Sequence, residues 1–283
     1  MKTVKIVTTL YLLLSCLVGH AEEMEQAQNA LQEMNPLPTI SDEWRYTVGA
    51  SIWAPASTTS SFLSNDMFVG SSQSSVTQNL QSTGSFAMVS GEAHKNNWGL
   101  MADLVYWQIN DGTQNTKYVT KKTSLFSGQS ANTTQTIMTA AATYTVYNTP
   151  SFYVDALAGA RYVSSTTSAT VNTVYKVISG KKTKTTISNI NVSNVDTATD
   201  AILGIKGRYR IADSAWYIPF YFDAGSGAGS ENNTWQALAG IGHAFSWGDV
   251  SLVYRAMYFE LGGSDGLTKY SNYGPQLGAS INF

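Results

Sequence analysis

The chain ends in a segment whose hydropathy alternates residue by residue. Counting back in twos from Phe283 gives Ile281, Ala279, Leu277, Pro275 and Tyr273. Asn282, Ser280, Gly278, Gln276, Gly274 and Asn272 fill the positions between. One face is apolar and the other small or polar, which is the period of a β-strand lying between two different environments. A helix would mix the two sets on every side. Pro275 is the irregularity, because it removes a ladder donor from a strand that pairs on both edges. It is expected near the far end of the strand, at a bulge or where pairing lapses.

The same two-faced pattern recurs from residue 43 onward. Tyr46, Val48, Ala50 and Ile52 alternate with polar or small residues over 44–54, and a weaker strand is read over 84–93. Trp98, Leu100, Ala102, Leu104 and Tyr106 share one face over 98–110, and Met138, Ala140, Ala142, Tyr144 and Val146 share one over 134–147. Further strands are read over 152–162, 200–211, 216–225, 234–245 and 250–258. Ile202 is an apolar residue in an otherwise polar register. Connections alternate in length. Short ones fall at 94–97, 148–151, 212–215 and 246–249. Long ones fall at 56–82 (with a short helix near 76–80), 111–133, 226–233 and 262–270, and at 164–197, a Thr/Val-rich ribbon turning at Ser179–Lys182. About ten strands with long connections at one end predict an all-β fold, a closed antiparallel transmembrane β-barrel. Eight or twelve strands are the alternative counts.

Composition agrees with lipid on one side and a neutral polar interior on the other. Charged residues are only 13% of the chain, about half the ~25% usual for soluble domains. Aromatics on the apolar register fall into two bands. Tyr46, Trp98, Tyr144, Phe152, Tyr209, Trp216, Phe245 and Phe283 lie near the short turns, and Tyr106, Tyr162, Phe222, Trp235, Tyr258 and Tyr273 near the long connections. Rings of Trp and Tyr prefer the membrane–water interface, so two girdles are expected of a spanning barrel. A net charge of -2 gives no basic face for nucleic acid.

The N-terminus reads as an export signal over residues 1–21. Lys2 and Lys5 precede an apolar run, and Gly19 and Ala21 offer small residues for cleavage. Cys16, the one cysteine, lies inside it, so lipoprotein processing at Cys16 and cleavage after Ala21 are the two options. Residues 22–42 read as a periplasmic leader with a short helix ended by Pro36 and Pro38. The barrel takes 43–283.

Several blocks resemble compact proteobacterial outer-membrane β-barrel proteins of the OmpA/OmpW-like class. They are Tyr46-Thr-Val-Gly-Ala-Ser-Ile-Trp-Ala-Pro55, Trp98-Gly-Leu-Met-Ala-Asp-Leu-Val-Tyr106, Asp155-Ala-Leu-Ala-Gly-Ala-Arg-Tyr162, Gly204-Ile-Lys-Gly-Arg-Tyr209, Thr234-Trp-Gln-Ala-Leu-Ala-Gly-Ile-Gly242, Tyr254-Arg255 and Gly274-Pro-Gln-Leu-Gly278. The resemblance implies the cell outer membrane of a Gram-negative bacterium. It also implies that Tyr273, Leu277, Ile281 and Phe283 form the C-terminal signal read by the barrel-assembly machinery. Lipid and lipopolysaccharide are the expected surroundings. His243 departs from the pattern, where an aromatic residue is expected after Gly242.

The inward register carries the charges Arg45, Glu92, Asp103, Asp155, Arg161, Asp200, Lys206, Arg208, Arg210, Asp223 and Arg255. Charges in a narrow interior must be paired and hydrogen-bonded, so these are expected to form a mutually neutralising lumen network, with Arg210 close enough to a turn to reach water. Enzyme chemistry finds little support. His94 is read in a short turn and His243 on the lipid-facing register, and the Ser and Thr residues lack a base. No zinc, EF-hand or phosphate-loop spacing appears. No cofactor is expected. The functional expectation is a non-enzymatic barrel, structural or a narrow channel for small solutes. The alternative is a surface-exposed adhesion or binding protein acting through external loops, where Lys176, Lys181, Lys182 and Lys184 lie near the ribbon tip. An outer-membrane enzyme is the third reading.

Overall fold

A computed structural model describes residues 35–63, 68–120, 123–179, 182–227, 232–263 and 266–283. The export signal, Cys16, the helix expected before residue 35 and Lys181 lie outside the described residues. The strands, in chain order, are β1 (Arg45–Trp53), β2 (Ala56–Leu63), β3 (Phe68–Ser74), β4 (Thr83–Lys95), β5 (Trp98–Thr120), β6 (Thr123–Asn148), β7 (Phe152–Ser179), β8 (Lys182–Arg210), β9 (Trp216–Gly227), β10 (Asn233–Phe245), β11 (Gly248–Gly263) and β12 (Gly266–Asn282). Among the described residues a helix, α1 (Val76–Ser82), precedes β4.

β1 and β4–β12 pair antiparallel with their neighbours, and β12 pairs back onto β1 to close a barrel of 10 strands. Closure matters because lipid cannot satisfy an open sheet edge. The seam runs from Thr47 opposite Asn282 to Trp53 opposite Gln276. At its lower end Tyr46 N donates to Phe283 O at 2.7 Å and Phe283 N to Tyr46 O at 2.9 Å. The two rings stack with centroids 5.7 Å apart. The terminal aromatic therefore completes the join between first and last strands.

Pro275 lies where the partner of β12 changes. Below it β12 pairs with β1, and above it with β2, from Ala56 opposite Tyr273 to Leu63 opposite Gly266. The missing donor falls opposite the break between β1 and β2. Pro275 O still accepts from Ala54 N at 3.0 Å. The segment 56–82, expected as a loop with a short helix, carries β2 and β3, which pair antiparallel and prolong the wall above β1, and then α1. Ser75 caps α1 and closes a capping box with Gln78, which satisfies helix donors that have no partner in the first turn. Asn79 Nδ2 then ties the helix to Pro55 O at 2.9 Å and Ser57 Oγ at 3.0 Å.

The segment 111–133, also expected as a loop, continues β5 and β6 as a ladder up to Thr120 opposite Thr123. With the ribbon of β7 and β8, which pair without interruption to Ser179 opposite Lys182, it makes a four-stranded sheet. β4 and β9 stop short of this region, their highest pairings being Thr83 with Ile109 and Gly227 with Asp200. By the rule for such barrels the short turns are periplasmic and the long end external.

The exterior of the span is apolar. Leu203, Leu100, Val48, Ile281 and Leu252 stand exposed between the aromatic bands. His243, at the position where an aromatic was expected, lies edge-on to Trp216 at 4.7 Å and beside Phe245 at 4.5 Å, so its ring fills a place in the lower girdle. No helix among the described residues is long and apolar enough to cross a membrane; the crossing is made by strands. The chain is a membrane-spanning β-barrel of bacterial outer-membrane type. Leu203 is 70% exposed near mid-span, so Leu203→Arg is expected to destabilise the reconstituted barrel by about 2–4 kcal/mol. Denaturant unfolding into lipid vesicles measures it.

Candidate functional site

The barrel interior is layered. At the periplasmic end, β8 supplies Arg208, whose guanidinium grips Asp249 at 3.0 and 3.2 Å. The same carboxylate accepts from Asn282 Nδ2 at 3.0 Å. Arg208 also donates to Pro36 O at 2.8 Å, and Pro36 and Leu37 are buried. Residues just ahead of β1 thus sit against the polar interior. Lys206 pairs with Glu92 and lies 3.9 Å from Asp155. Asp155 accepts from Thr145 at 2.7 Å. His94, read from sequence as part of a turn, is the penultimate residue of β4 and is buried on the interior face. Its Nε2 lies 3.2 Å from Glu92. A Cβ at Gly99 would sit 2.5 Å from that imidazole, so glycine there makes room for the ring.

The middle layer holds two arginines. Arg161, fully buried, donates through both terminal nitrogens to Asp223 at 2.8 and 2.5 Å, and to Thr234 at 2.9 Å and Thr139 at 3.2 Å. Arg255 reaches Asp103 at 3.0 Å and lies over the Trp53 ring at 5.3 Å. Gln236 Oε1 accepts from both, at 3.3 Å from Arg161 and 2.9 Å from Arg255. A planar fork satisfied on several sides offsets the desolvation of a buried charge better than a lone contact does. Asp200 lies opposite Arg161 in the β7–β8 register and is fully buried, with no hydrogen-bond partner on either oxygen among the described residues. Ile202, the apolar residue in the polar register, packs with Ala141, Leu157 and Tyr221 inside the barrel.

Above the arginines lies an apolar layer. Trp53, Met88, Val105, Trp107, Ile137, Val163, Met257, Phe259, Leu261 and Tyr270 form one buried cluster on the interior face. Phe259 and Tyr270 stack at 5.0 Å, and Trp53 lies against Trp107 at 5.1 Å. Phe259, Ile137 and Val163 are each 0% exposed.

Of the eleven inward charges expected from sequence, Glu92, Asp103, Asp155, Arg161, Lys206, Arg208, Asp223 and Arg255 lie in these contacts. Arg45 is placed at the periplasmic end opposite His94, with Nε and Nη2 unpartnered among the described residues. Arg210 stands apart, its Nε donating to Ser214 O at 2.9 Å in the adjoining turn. Sequence reasoning passed over Asp249, which it assigned to a turn, and Glu260, beyond the assigned end of its strand. Glu260 accepts from Tyr258, Asn233 and Lys269 at 2.5, 2.8 and 3.1 Å. Tyr273, Leu277 and Ile281 lie exposed on the outward face of β12, and Phe283, the residue after it, is exposed as well.

No protein-family model and no curated protein matches the chain. Among solved structures it is similar to the outer membrane protease OmpT of Escherichia coli, with a TM-score of 0.49 and 9% identity over 88% of this chain and 100% of that one. It is also similar to the attachment invasion locus protein Ail of Yersinia pestis, crystallised with a heparin analogue, with a TM-score of 0.34 and 11% identity over 85% and 99% of the two chains. A FadL homologue of Pseudomonas aeruginosa gives a TM-score of 0.31 and 9% identity over 85% and 90%. No residue role is carried over from any of them.

Proposed function

We propose that this chain is a closed-lumen anchor in the outer membrane that displays the four-stranded β5–β8 sheet outside the cell for binding, acting as neither a conduit nor an enzyme. The observation that supports the reading is the apolar layer above the ion-paired arginines. A water-filled path needs polar walls, whereas here Phe259, Ile137 and Val163 are out of reach of solvent within the barrel. Small barrels fill their interiors with side chains in this way, and wide channels belong to larger strand numbers. The length of the projecting ladder is the second support. A strand of ~9–11 residues suffices to span, yet β7 has 28 and β8 has 29. Kinship with the OmpA/OmpW-like class is part of the same proposal and rests on the strand blocks quoted above. Recognition of the Phe283 strand by the assembly machinery is proposed on its exposed outward face.

Single cysteines test the display. Thr185→Cys, in the projecting part of β8, is expected to react with a large, membrane-impermeant maleimide on intact cells. Asp213→Cys, in the short turn before β9, is expected to react only after lysis. Protection of Thr185→Cys on intact cells would overturn the reading.

A further inference from the structure

Beyond Asp111 of β5 and Asp196 of β8, which lie low on the projecting sheet, the charges toward its far end are of one sign. Between Asp111 and Asp196 the chain contains a single acidic residue, Asp155, and that one belongs to the barrel interior. Lys117, Lys176, Lys182 and Lys184 fall in the same stretch, on strands of the projection.

Strand register gathers these four at the far end. Lys117 of β5 lies opposite Leu125 of β6, and Leu125 opposite Tyr175 of β7. Lys176 lies one position further along β7. Lys184 is opposite Val177, and Lys182 opposite Ser179. The four lysines therefore occupy the rungs spanned by β7 residues 175–179. At ~3.3 Å per residue and ~4.8 Å between strands, that patch measures roughly 13 by 14 Å. The alternation of the ladder puts the Lys117, Lys182 and Lys184 positions on one face with Tyr175, the face that continues the barrel interior. Lys176 is on the other.

We infer that this distal end is a docking site for a linear anionic polysaccharide, a chain with repeated sulfate or carboxylate groups. The inference rests on the display reading above. Like charges gathered at one end of a ladder repel one another, and a ligand of repeated opposite charge relieves that repulsion while releasing its own counterions. Height selects the source of the anion. From Tyr162 in the outer girdle to Ser179, β7 rises about 40 Å at ~3.3 Å per residue and a tilt near 45°. Headgroup phosphates of the barrel's own membrane lie at the girdle and out of reach. A polymer approaching from outside meets the tip first.

The test uses the purified full-length barrel in detergent, with dextran sulfate, hyaluronate and uncharged dextran of matched length as probes. Dextran sulfate and hyaluronate are expected to bind, uncharged dextran is not, and affinity should fall at least about tenfold between ~50 and ~200 mM salt. The combined variant Lys117→Thr, Lys176→Thr, Lys182→Thr, Lys184→Thr introduces a residue already common in the ladder. It should weaken dextran sulfate binding tenfold or more while retaining heat-modifiable gel mobility. Equal binding by wild type and variant, or equal affinity for charged and uncharged dextran, would overturn the inference. Cysteine labelling of Thr185→Cys on cells fails or succeeds independently of this result, so loss of the display and loss of the ligand are told apart.

Discussion

Arg161→Ala is expected to lower the stability of the barrel by about 3–5 kcal/mol, because it strands a carboxylate in a closed interior. Asp223 receives both arms of the guanidinium and is itself 0% exposed. Asp200, opposite Arg161 in the ladder, would lose the cation that faces it as well. The loss should appear as a lowered urea midpoint for the transition between compact and extended gel forms. Arg161→Lys keeps the charge but not the fork, so an intermediate loss is expected. Arg161→Met combined with Asp223→Leu and Asp200→Asn should recover much of the stability, since no buried carboxylate is then left without its cation. Arg210→Ala should cost at most about 1 kcal/mol, because its hydrogen bond is made to a turn carbonyl at the barrel end. A hydrated lumen would make Arg161→Ala nearly as mild.

Phe259→Ala tests the apolar layer. The ring is fully buried and stacked on Tyr270, and neighbouring strands are held in register by the barrel ladder, so the site relaxes little. A loss of about 3–5 kcal/mol is expected from the removed contacts and the cavity left behind. Phe222→Ala is the control. Phe222 points outward, 50% exposed, where lipid refills the space, and the expected loss is well under half as large. Equal effects from the two substitutions, read in the same unfolding assay, would mean that the interior layer is not packed.

The barrel itself is legible because lipid and lumen impose opposite polarity on alternate residues, and Tyr46–Trp53, Trp98–Tyr106 and Tyr273–Phe283 carry that contrast directly. The contrast vanishes above the membrane. In the segments 111–133 and 56–63 Thr, Ser, Asn and Gln occupy both registers, so they read as loops. Their β-branched threonines were the available signal. Only the ribbon of β7 and β8 was read as strand there, through its run of Thr and Val. Most of the inward charges were legible from parity alone. The apolar layer was visible in principle at Val105 and Trp107, which flank Tyr106, and at Met257 and Phe259, which flank Tyr258. Apolar residues on both faces of a strand signal an interior that is no longer polar. His94 was misplaced because the two-residue turn at Asn96–Asn97 is tighter than the four residues assigned to it, which leaves His94 within β4.

Planar-bilayer recording of the purified barrel tests the sealed lumen most directly. With the apolar layer intact, the wild-type protein is expected to give no discrete current steps in molar salt, including at high voltage. Insertion would be verified by recovery of the heat-modifiable form from the membrane. Reproducible, voltage-independent single-channel steps from that preparation would contradict the account.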